Sequence, residues 1–479
     1  MDQGATVSDS VAIVWYRRDL RTDDHVGLAA ACGRNQRVVP VYVQDESEMG
    51  DWTLGAASKW WLHHSLKSLS SELVTRGSRL HIQRGSPSEV LVNVARLVGA
   101  TSVYFQRITE PAARTVEMQV KQACAEAGIE ACANDNGLFF SPGTIATGQG
   151  NPYQVFTPFW KRCLQQGIDD SVASVPRVIP TPPMPADSLT LSELNLLPSV
   201  GWATGLRAVW QPGQKGAHGA LDRFLSDSVE NYAEGRDRPA ERCTSSLSPH
   251  LHFGEISPRQ IASTLRTVHG EGSSSFLREL GWREFSHHLL YHFPQLDKHP
   301  LREQFASFPW CEDKDGLCAW QRGQTGYPLV DAGMRQLWKT GWMHNRVRMV
   351  VGSFLVKDLL INWRRGAEWF WDTLVDADLA NNSMGWQWVA GCGADAAPFF
   401  RIFNPISQGE KFDREGTYVK RWVPELAQVP PRYIHAPWRA PDHVLRTAGV
   451  TLGLNYPEPI VDHAFARQRA LDALQQSRA

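Results

Sequence analysis

The stretch RLHIQRGSPSEVLVNVARLVGATSVYFQR, residues 79–107, decides the fold of the N-terminal part of the chain. RLHIQRG (79–85) predicts a strand, SPSEVLVNVARLVG (86–99) a helix capped by Ser86, and TSVYFQR (101–107) a second strand. A strand, a helix and a strand in this order are typical of two parallel strands joined by a crossover helix. The stretch therefore predicts a parallel sheet that helices cover.

The same alternation continues on both sides of this stretch. VAIVWY (11–16) and RVVPVYV (37–43) predict earlier strands, and DDHVGLAAACG (23–33) and ASKWWLHHSLKSLSSELVTRG (57–77) predict helices. A further helix is predicted over AARTVEMQVKQACAEAG (112–128). We therefore predict an α/β domain with a parallel sheet over residues 1–135.

The pattern changes in the remaining two thirds of the chain. Residues 136–215 include the proline-rich stretch VPRVIPTPPMPADSLTLSELNLLPSVG (175–201) and predict an interdomain linker. Beyond them we predict an all-α domain over residues 216–479. Its clearest helices are GAHGALDRFLSDSVENYAEG (216–235), FLRELGWREFSHHLLYHF (276–293), PLVDAGMRQLWKTG (328–341) and MHNRVRMVVGSFLVKDLLI (343–361).

The composition is that of an ordinary globular protein. The chain has 479 residues, 42% of them hydrophobic and 21% charged, with a formal net charge of -1. The N-terminus MDQGATVSDS lacks the features of a signal peptide, and no segment approaches the ~20 apolar residues of a membrane span. We expect a cytoplasmic protein that does not contact a membrane.

The eight cysteines are scattered and contain no C-x-x-C pair, which predicts free thiols. An iron–sulfur cluster is the alternative for the four in the C-terminal half, although their spacing matches no cluster motif, and we predict no metal site. These four are Cys243, Cys311, Cys318 and Cys392.

One predicted helical face suits a planar ligand. Glu279, Trp282 and Arg283 share this face by i, i+3 and i+4 spacing. They would either line a cavity in which a ligand stacks on Trp282 and hydrogen-bonds Glu279, or form an ion-pair surface with a snorkelling ring.

A second face holds Asn345, Arg348 and Met349, an amide, a guanidinium and a thioether. These groups suit a heteroaromatic ligand with a phosphate nearby, while the alternative is a solvated basic helix. The stretch CTSSLSPHLHFGEISP (243–258) offers hydroxyl groups before a helix, which is typical of either a phosphate cradle or simple capping.

The stretch DADLANNSMGWQWVAGCGADAAPFFRIFNP (376–405) brings acids, amides and aromatic residues together. Asp376, Asp378 and Asn382 offer acceptors and an amide to a polar heterocycle. Trp386 and Trp388 are two residues apart and point in different directions in most backbone conformations, so we expect them to serve separate partners.

Together these motifs resemble the DNA photolyase/cryptochrome flavoprotein family. The resemblance runs from VWYRRDLRTDDHVGLAAA (14–31) through TSSLSPHLHFGEISPRQ (244–260), ELGWREF (279–285) and GYPLVDAGMRQLWKTGWMHNRVRM (326–349). It continues through DLANNSMGWQW (378–388), DAAPFFRIFNPISQGEKFD (395–413) and YVKRWVPEL (418–426), and so covers nearly the whole chain. GAASKWWL (55–62) is similar to plant cryptochromes and to the photolyases called class III.

The resemblance implies an α/β parallel-sheet N-terminal domain plus a larger all-α FAD-binding domain. It implies that excited, fully reduced FAD donates an electron to a cyclobutane pyrimidine dimer in DNA, which splits and returns the electron. The dimer is flipped out of the duplex. We therefore expect a deoxyribodipyrimidine photo-lyase that acts on damaged DNA as a monomer.

The family's functional residues carry over to matching positions of this chain. Those that correspond to FAD contacts are Tyr232, Thr244, Ser245, Ser246, Leu247, Ser248, Arg283, Asn345, Arg348, Asp376, Asp378 and Asn382. Those that correspond to dimer contacts are Glu279, Trp282, Asn345, Arg346, Met349 and Trp388. Trp386, Trp363 and Trp310 correspond to an electron-transfer chain, and Glu279 and Asn382 complete the expected catalytic set.

Two further expectations concern DNA and a second chromophore. Basic residues of the helical domain, Arg401, Lys411 and Arg421, are expected to contact phosphates beside the lesion. A methenyltetrahydrofolate antenna is expected near Glu110, with Lys298 as a partner from the helical domain; the alternative is a site in WTLGAASKWW (52–61), with Trp52 as the stacking residue.

A blue-light photoreceptor of the cryptochrome type is the alternative function. Asn382 stands where plant cryptochromes carry aspartate, and Trp388 stands where they commonly carry tyrosine, so the sequence favours repair. Asn345 replaces the histidine that (6-4) photoproduct repair enzymes use as a proton donor. A flavoprotein with a purely redox role is a third interpretation.

Overall fold

The computed structural model describes residues 10–34, 36–396 and 400–477. The chain forms two compact units. The first unit comprises Met1–Asp227 and Ser245–Pro294, and the second comprises Ser228–Thr244 and Gln295–Ala479.

A five-stranded parallel sheet organises the first unit. Its strands are β1 (Val11–Tyr16), β2 (Arg37–Gln44), β3 (His81–Arg84), β4 (Ala100–Gln106) and β5 (Glu130–Asn134), in the order β3-β2-β1-β4-β5. The predicted parallel sheet and its first four strands are confirmed. The sequence analysis missed β5, because EACAN is short and only partly buried at the sheet edge, so it lacks a continuous apolar run.

The helices are named in chain order across both units. They are α1 (Val26–Gly33), α2 (Ala56–Thr75), α3 (Pro87–Val98), α4 (Pro111–Glu126), α5 (Phe156–Gln166), α6 (Thr204–Val209), α7 (Gln214–Asp227), α8 (Tyr232–Gly235), α9 (Ser248–His252), α10 (Pro258–Leu265), α11 (Glu271–His292), α12 (Lys314–Arg322), α13 (Pro328–Thr340), α14 (Asn345–Ser353), α15 (Trp363–Thr373), α16 (Leu379–Ala390), α17 (Pro405–Phe412), α18 (Thr417–Trp422), α19 (Pro431–Ile434), α20 (Asp442–Thr447) and α21 (His463–Gln476).

Helix α3 shows why the sheet forms. Its apolar face, with Leu91 and Val94, is buried in the core that β1 and β4 also line. Ser86 is the N-cap residue, but its side chain makes no capping hydrogen bond, so the predicted cap interaction is wrong; its hydroxyl pairs with that of Ser88 at 2.9 Å. Pro87 at the first helical position supplies the start, because its fixed φ suits a helix N-terminus.

Two predicted helices are shorter than expected. The helix predicted over 216–235 is two helices, α7 and α8, separated by the turn 228–231. The helix predicted over 343–361 ends as α14 at Ser353 and continues only as a π-helical turn, Phe354–Asp358. Leu360 then adopts a φ of 53°, a left-handed conformation that no α-helix continues through.

The segment 136–215 contains a feature that its composition did not predict. It belongs to the first unit and includes the helix α5, whose buried residues are Phe156, Phe159, Trp160 and Cys163. Spacing of three and four residues makes this an amphipathic helix.

None of the helices in the described parts of the chain combines the length and the apolarity that a membrane span needs.

Candidate active site

The hydroxyl-rich stretch of the first unit forms a tight turn before α9. The Ser245 hydroxyl accepts a hydrogen bond from the Leu247 amide at 3.3 Å, and Ser246 has a φ of 56°. A non-glycine residue in the left-handed region is uncommon and is held there by its surroundings. Leu247 is buried, whereas Ser245 and Ser246 are partly exposed and Ser248 is exposed, so a ligand can reach this turn.

The helix after this turn is anchored through a buried carboxylate. His250 hydrogen-bonds Glu255, which is fully buried, and Glu255 also accepts the indole N–H of Trp61 at 2.9 Å. Trp61 lies in α2 within the GAASKWWL motif. This part of the motif therefore braces the hydroxyl turn by a hydrogen-bonded chain through the core.

Helix α11 carries the predicted ligand-stacking face. Glu279 and Trp282 are partly exposed, which both the lining role and the ion-pair surface allow. The Arg283 guanidinium donates to the Gly137 carbonyl at 2.8 Å, so one of its donors anchors the segment 137–140. The neighbouring Glu284, which the sequence analysis did not single out, accepts the amides of residues 139 and 140 at 3.1 and 3.0 Å. Burial raises the pKa of Glu284 to about 7.

In the second unit, α14 begins at Asn345, one of the predicted ligand contacts. Its N-cap is His344, whose Nδ1 accepts the amide of residue 346 at 3.2 Å. Burial lowers the pKa of His344 to about 4, which keeps the ring neutral and able to accept at Nδ1. Asn345 is exposed, and Arg348 and Met349 follow on the same face, as the spacing predicted.

A charge pair joins two of the predicted flavin contacts. The Arg348 guanidinium donates to both carboxylate oxygens of Asp376, at 3.1 and 2.8 Å, and its Nε donates to the Met343 carbonyl at 2.7 Å. The Asp376 side chain is almost fully buried, with 4% of its surface exposed. A charge-assisted pair of this kind fixes the guanidinium direction.

Asp378 and Asn382 are held by backbone hydrogen bonds. Asp378 is the N-cap of α16 and accepts the amide of Asn381 at 2.8 Å, so its carboxylate also has a structural role. The Asn382 side-chain amide donates to the Ala367 carbonyl of α15 at 3.1 Å. This bond orients the side-chain amide, because its nitrogen faces Ala367 and its oxygen therefore faces away from Ala367.

Trp386 and Trp388 lie in different environments, as predicted. Trp386 is buried and meets Phe370 edge-on at 5.0 Å between ring centroids. Trp388 is partly exposed, with the Arg401 guanidinium 5.6 Å from its ring centroid. Between them, buried Gln387 donates to the carbonyls of residues 296 and 299 at 2.6 and 2.7 Å, which sets the rotation of α16.

The remaining tryptophans of the expected chain show graded burial. Trp363, the first residue of α15, is buried, whereas Trp310 is partly exposed, with its ring centroid 4.4 Å from that of Phe308. Sequence reasoning missed Trp320, which is fully buried and whose ring centroid lies 6.2 Å from that of Trp386. Nothing in its local pattern, GLCAWQR (316–322), distinguishes it from a core residue.

The predicted basic DNA contacts of the second unit are partly engaged in protein contacts. Arg346 pairs with Asp237, which sequence reasoning missed, at 2.8 Å, and its guanidinium lies 4.4 Å from the Phe412 ring centroid. The Lys411 ammonium lies 5.0 Å from the same ring. Arg421 is exposed and donates to the carbonyl of residue 240 at 3.4 Å.

The predicted antenna residues fall into both units. In the first unit Glu110 is buried and pairs with Arg18, and Trp52 is also buried, with 8% of its surface exposed. Lys298 lies in the second unit and is partly exposed. Of the remaining flavin candidates, Tyr232 opens α8 and is buried, and Thr244 is partly exposed.

Comparison with known proteins decides the family. Residues 12–183 match the DNA photolyase family, and residues 276–476 match the FAD binding domain of DNA photolyase. The chain is 46% identical, over 96% of its length and 97% of the relative's, to the deoxyribodipyrimidine photo-lyase of Agrobacterium fabrum. The chain belongs to the DNA photolyase/cryptochrome family.

Other members of the family are similar over most of the chain. Cryptochrome-2 of Arabidopsis thaliana is 39% identical over 98% of this chain and 79% of its own length. The crystal structure of a bacterial class III photolyase from Agrobacterium tumefaciens has a TM-score of 0.94, with 45% identity and complete coverage of both chains. The predicted resemblance and fold class are therefore confirmed.

The described residues fit FAD by the chemistry of their donors. In the first unit, the turn at 245–248 carries hydroxyl groups that suit phosphate oxygens. In the second unit, the partly exposed Arg348 guanidinium, held by the buried Asp376 carboxylate, suits polar ring edges. The oriented amide of Asn382 adds a neutral hydrogen-bonding group.

Proposed function

We propose that the protein is a light-dependent deoxyribodipyrimidine photo-lyase that repairs cyclobutane pyrimidine dimers in DNA. The observation that carries the proposal is the arrangement on α16. One helix presents the oriented Asn382 amide, the buried Trp386 ring and the partly exposed Trp388 ring beneath Arg401. These groups serve a flavin, an electron-transfer route and a DNA lesion, respectively.

FAD, when bound and fully reduced, supplies the electron that blue light transfers to the dimer. The chain's own residues bind and orient it. The proposed contacts are Tyr232, Thr244, Ser245, Ser246, Leu247, Ser248, Arg283, Asn345, Arg348, Asp376, Asp378 and Asn382. The accessible hydroxyls on the left-handed turn at Ser246 and the fixed guanidinium of Arg348 support this assignment.

Glu279 is the proposed hydrogen-bond donor to the dimer. It lies one helical turn before Trp282 on α11, and both side chains are partly exposed. A protonated carboxyl group next to the lesion would stabilise negative charge on a dimer carbonyl. Trp282, Asn345, Arg346, Met349 and Trp388 are the remaining proposed lesion contacts, and Arg401, Lys411 and Arg421 the proposed phosphate contacts.

Trp386, Trp363 and Trp310 are the proposed electron-transfer chain. Trp386 and Trp363 are both buried and Trp310 is partly exposed, which supports a route from the interior to the surface. Trp386→Phe keeps a ring in contact with Phe370 but removes the indole. Photoreduction of oxidised flavin should then slow strongly, while the chemically reduced enzyme still repairs; normal photoreduction would remove Trp386 from the route.

The photoreceptor function is the second candidate, because a plant cryptochrome is 39% identical. Asn382 and Trp388 favour repair, since plant cryptochromes carry aspartate and commonly tyrosine at these positions. A folate antenna near Glu110, Trp52 or Lys298, a monomeric state and a cytoplasmic location stay predictions. Absence of any absorbance beyond that of FAD after addition of methenyltetrahydrofolate would contradict the antenna.

The proposed function is tested by illuminating the purified, reduced protein with an oligonucleotide that contains one thymine dimer. Restored thymines that depend on both blue light and FAD would support it. A flavin-loaded protein that binds no dimer and restores no thymine would favour the photoreceptor.

A further inference from the structure

A stack of aromatic rings lies behind the predicted lesion contact on α11. The ring of Phe156, in α5, lies parallel to the Trp282 indole, with 3.6 Å between centroids and 10° between planes. Trp160 continues the stack on Phe156 at 6.3 Å and 10°. Phe285 meets Phe156 and Trp282 edge-on at 5.9 and 6.0 Å, so the stack is also closed from the side.

The position of Phe156 is fixed by close packing between α5 and α11. Phe156 is 1% exposed. A Cβ at Gly281, one residue before Trp282, would lie 2.5 Å from the Trp160 ring, so the two helices approach as closely as a glycine permits. Phe156 therefore cannot slide along α11 without opening this contact.

We propose that Phe156 is a positioning residue for lesion recognition: it holds the plane of the Trp282 indole so that the pyrimidine dimer stacks on the opposite face. The inference rests on the proposed function, because it takes Trp282 as a lesion contact. One indole face is covered by Phe156 at 3.6 Å, and Trp282 is still partly exposed. Any ring that stacks on Trp282 must use the face that Phe156 leaves uncovered.

The physical benefit is preorganisation. A partly exposed tryptophan that is free to turn about two side-chain torsions must be ordered when a ligand stacks on it, which weakens binding. Parallel contact with Phe156 confines the indole plane before the lesion arrives. The same contact discriminates, because intact DNA keeps its bases stacked in the duplex and gains nothing from an oriented indole.

The test compares two substitutions in the same helix. Phe156→Leu removes the ring that faces Trp282, and Phe159→Leu removes an equally buried ring whose aromatic contacts are with Tyr153, Phe285 and His288. Dissociation constants of the FAD-loaded variants are measured in the dark for a duplex with one thymine dimer and for the same duplex undamaged. The midpoint of urea unfolding is measured for both variants.

We expect Phe156→Leu to raise the dissociation constant for the damaged duplex by about 2- to 12-fold, the equivalent of one aromatic pair. Binding of the undamaged duplex should stay at the wild-type level. Phe159→Leu should lower the midpoint of urea unfolding by about as much as Phe156→Leu does, but it should leave both dissociation constants unchanged. If Phe156→Leu does not fold, Phe156→Met, which is closer in volume to phenylalanine, carries the same test.

Trp282→Ala separates the inference from the proposed function. If this variant loses discrimination for the dimer while Phe156→Leu keeps it, Phe156 has no positioning role and the proposed function stands. If Trp282→Ala also keeps full discrimination, Trp282 is not a lesion contact and the positioning role of Phe156 is overturned, while the proposed function is decided separately by restored thymines. If Phe159→Leu loses as much affinity for the damaged duplex as Phe156→Leu does, the effect is a general destabilisation of α5 and Phe156 has no positioning role.

Discussion

Gly366→Ala tests whether the position of Trp386 controls electron transfer. A Cβ at Gly366 of α15 would lie 2.1, 2.5 and 2.6 Å from three atoms of the Trp386 six-membered ring. Ordinary contact begins at 3.4 Å, so the ring must retreat by about 1.3 Å. Trp386 is buried and packed against Phe370 and Trp320, so the retreat displaces a rigid ring within a dense core.

The expected loss of stability follows from two opposing effects. Overpacking of a core costs about 1–3 kcal/mol, and replacing a helical glycine by alanine recovers about 1 kcal/mol, which leaves a net loss of about 0–2 kcal/mol. The midpoint of urea unfolding should fall, and the photoreduction of oxidised flavin under blue light should become slower. Repair by the chemically reduced enzyme should persist, because this route is then not needed.

Gly352→Ala is the matched control. Its Cβ would lie 3.5 Å from the same Trp386 ring and 3.3 Å from Val389, so little has to move. This variant should match wild-type stability or exceed it slightly, and should photoreduce normally. If Gly366→Ala behaves like Gly352→Ala in both measurements, the close approach of α15 to Trp386 does not constrain electron transfer.

Three further predictions follow from single side chains. Glu279→Ala should lower the repair yield per absorbed photon while flavin absorbance stays intact; an unchanged yield would remove the carboxyl group from the reaction. Arg421→Ala should weaken damaged and undamaged duplex alike and make the slope of log affinity against log salt shallower by about 0.9, whereas an effect on damaged DNA alone would place this residue at the lesion. The pKa of Glu284 is raised from 4.5 to about 7 by burial, so the native state binds this proton more tightly than the unfolded chain does. Its contribution to stability is therefore present below pH 4.5 and lost as the pH rises through 7, and Glu284→Gln should flatten urea midpoints over this range.

The fold was predictable wherever periodicity was strong. Alternating apolar runs and helices predicted the parallel sheet, and α13 was found near its expected bounds, whereas α11 begins at Glu271, before the predicted start at Phe276. The edge strand β5 lacked such a signal, and the end of α14 depends on the left-handed Leu360, which no local pattern requires. Periodicity thus predicts which elements exist, while their ends depend on tertiary contacts.

The candidate site was less predictable, because its supporting residues carry no motif of their own. Phe156 lies in a segment that its proline-rich surroundings led us to interpret as a linker, although the spacing in FTPFW (156–160) is helical. Asp237 pairs with Arg346, and Glu284 accepts a hydrogen bond from the backbone of residue 139. Such contacts form only when parts of a unit that are distant in sequence meet. Asp378 was assigned by resemblance to the flavin, yet its carboxylate caps α16.

The most direct test of the central claim is repair itself. Purified protein with fully reduced FAD is mixed with an oligonucleotide carrying one thymine dimer, and restored thymines are counted against absorbed blue photons. We predict restoration in blue light, none in darkness, and a strong decrease in Trp282→Ala. Flavin that is bound and photoreducible without any restored thymine would contradict the repair function.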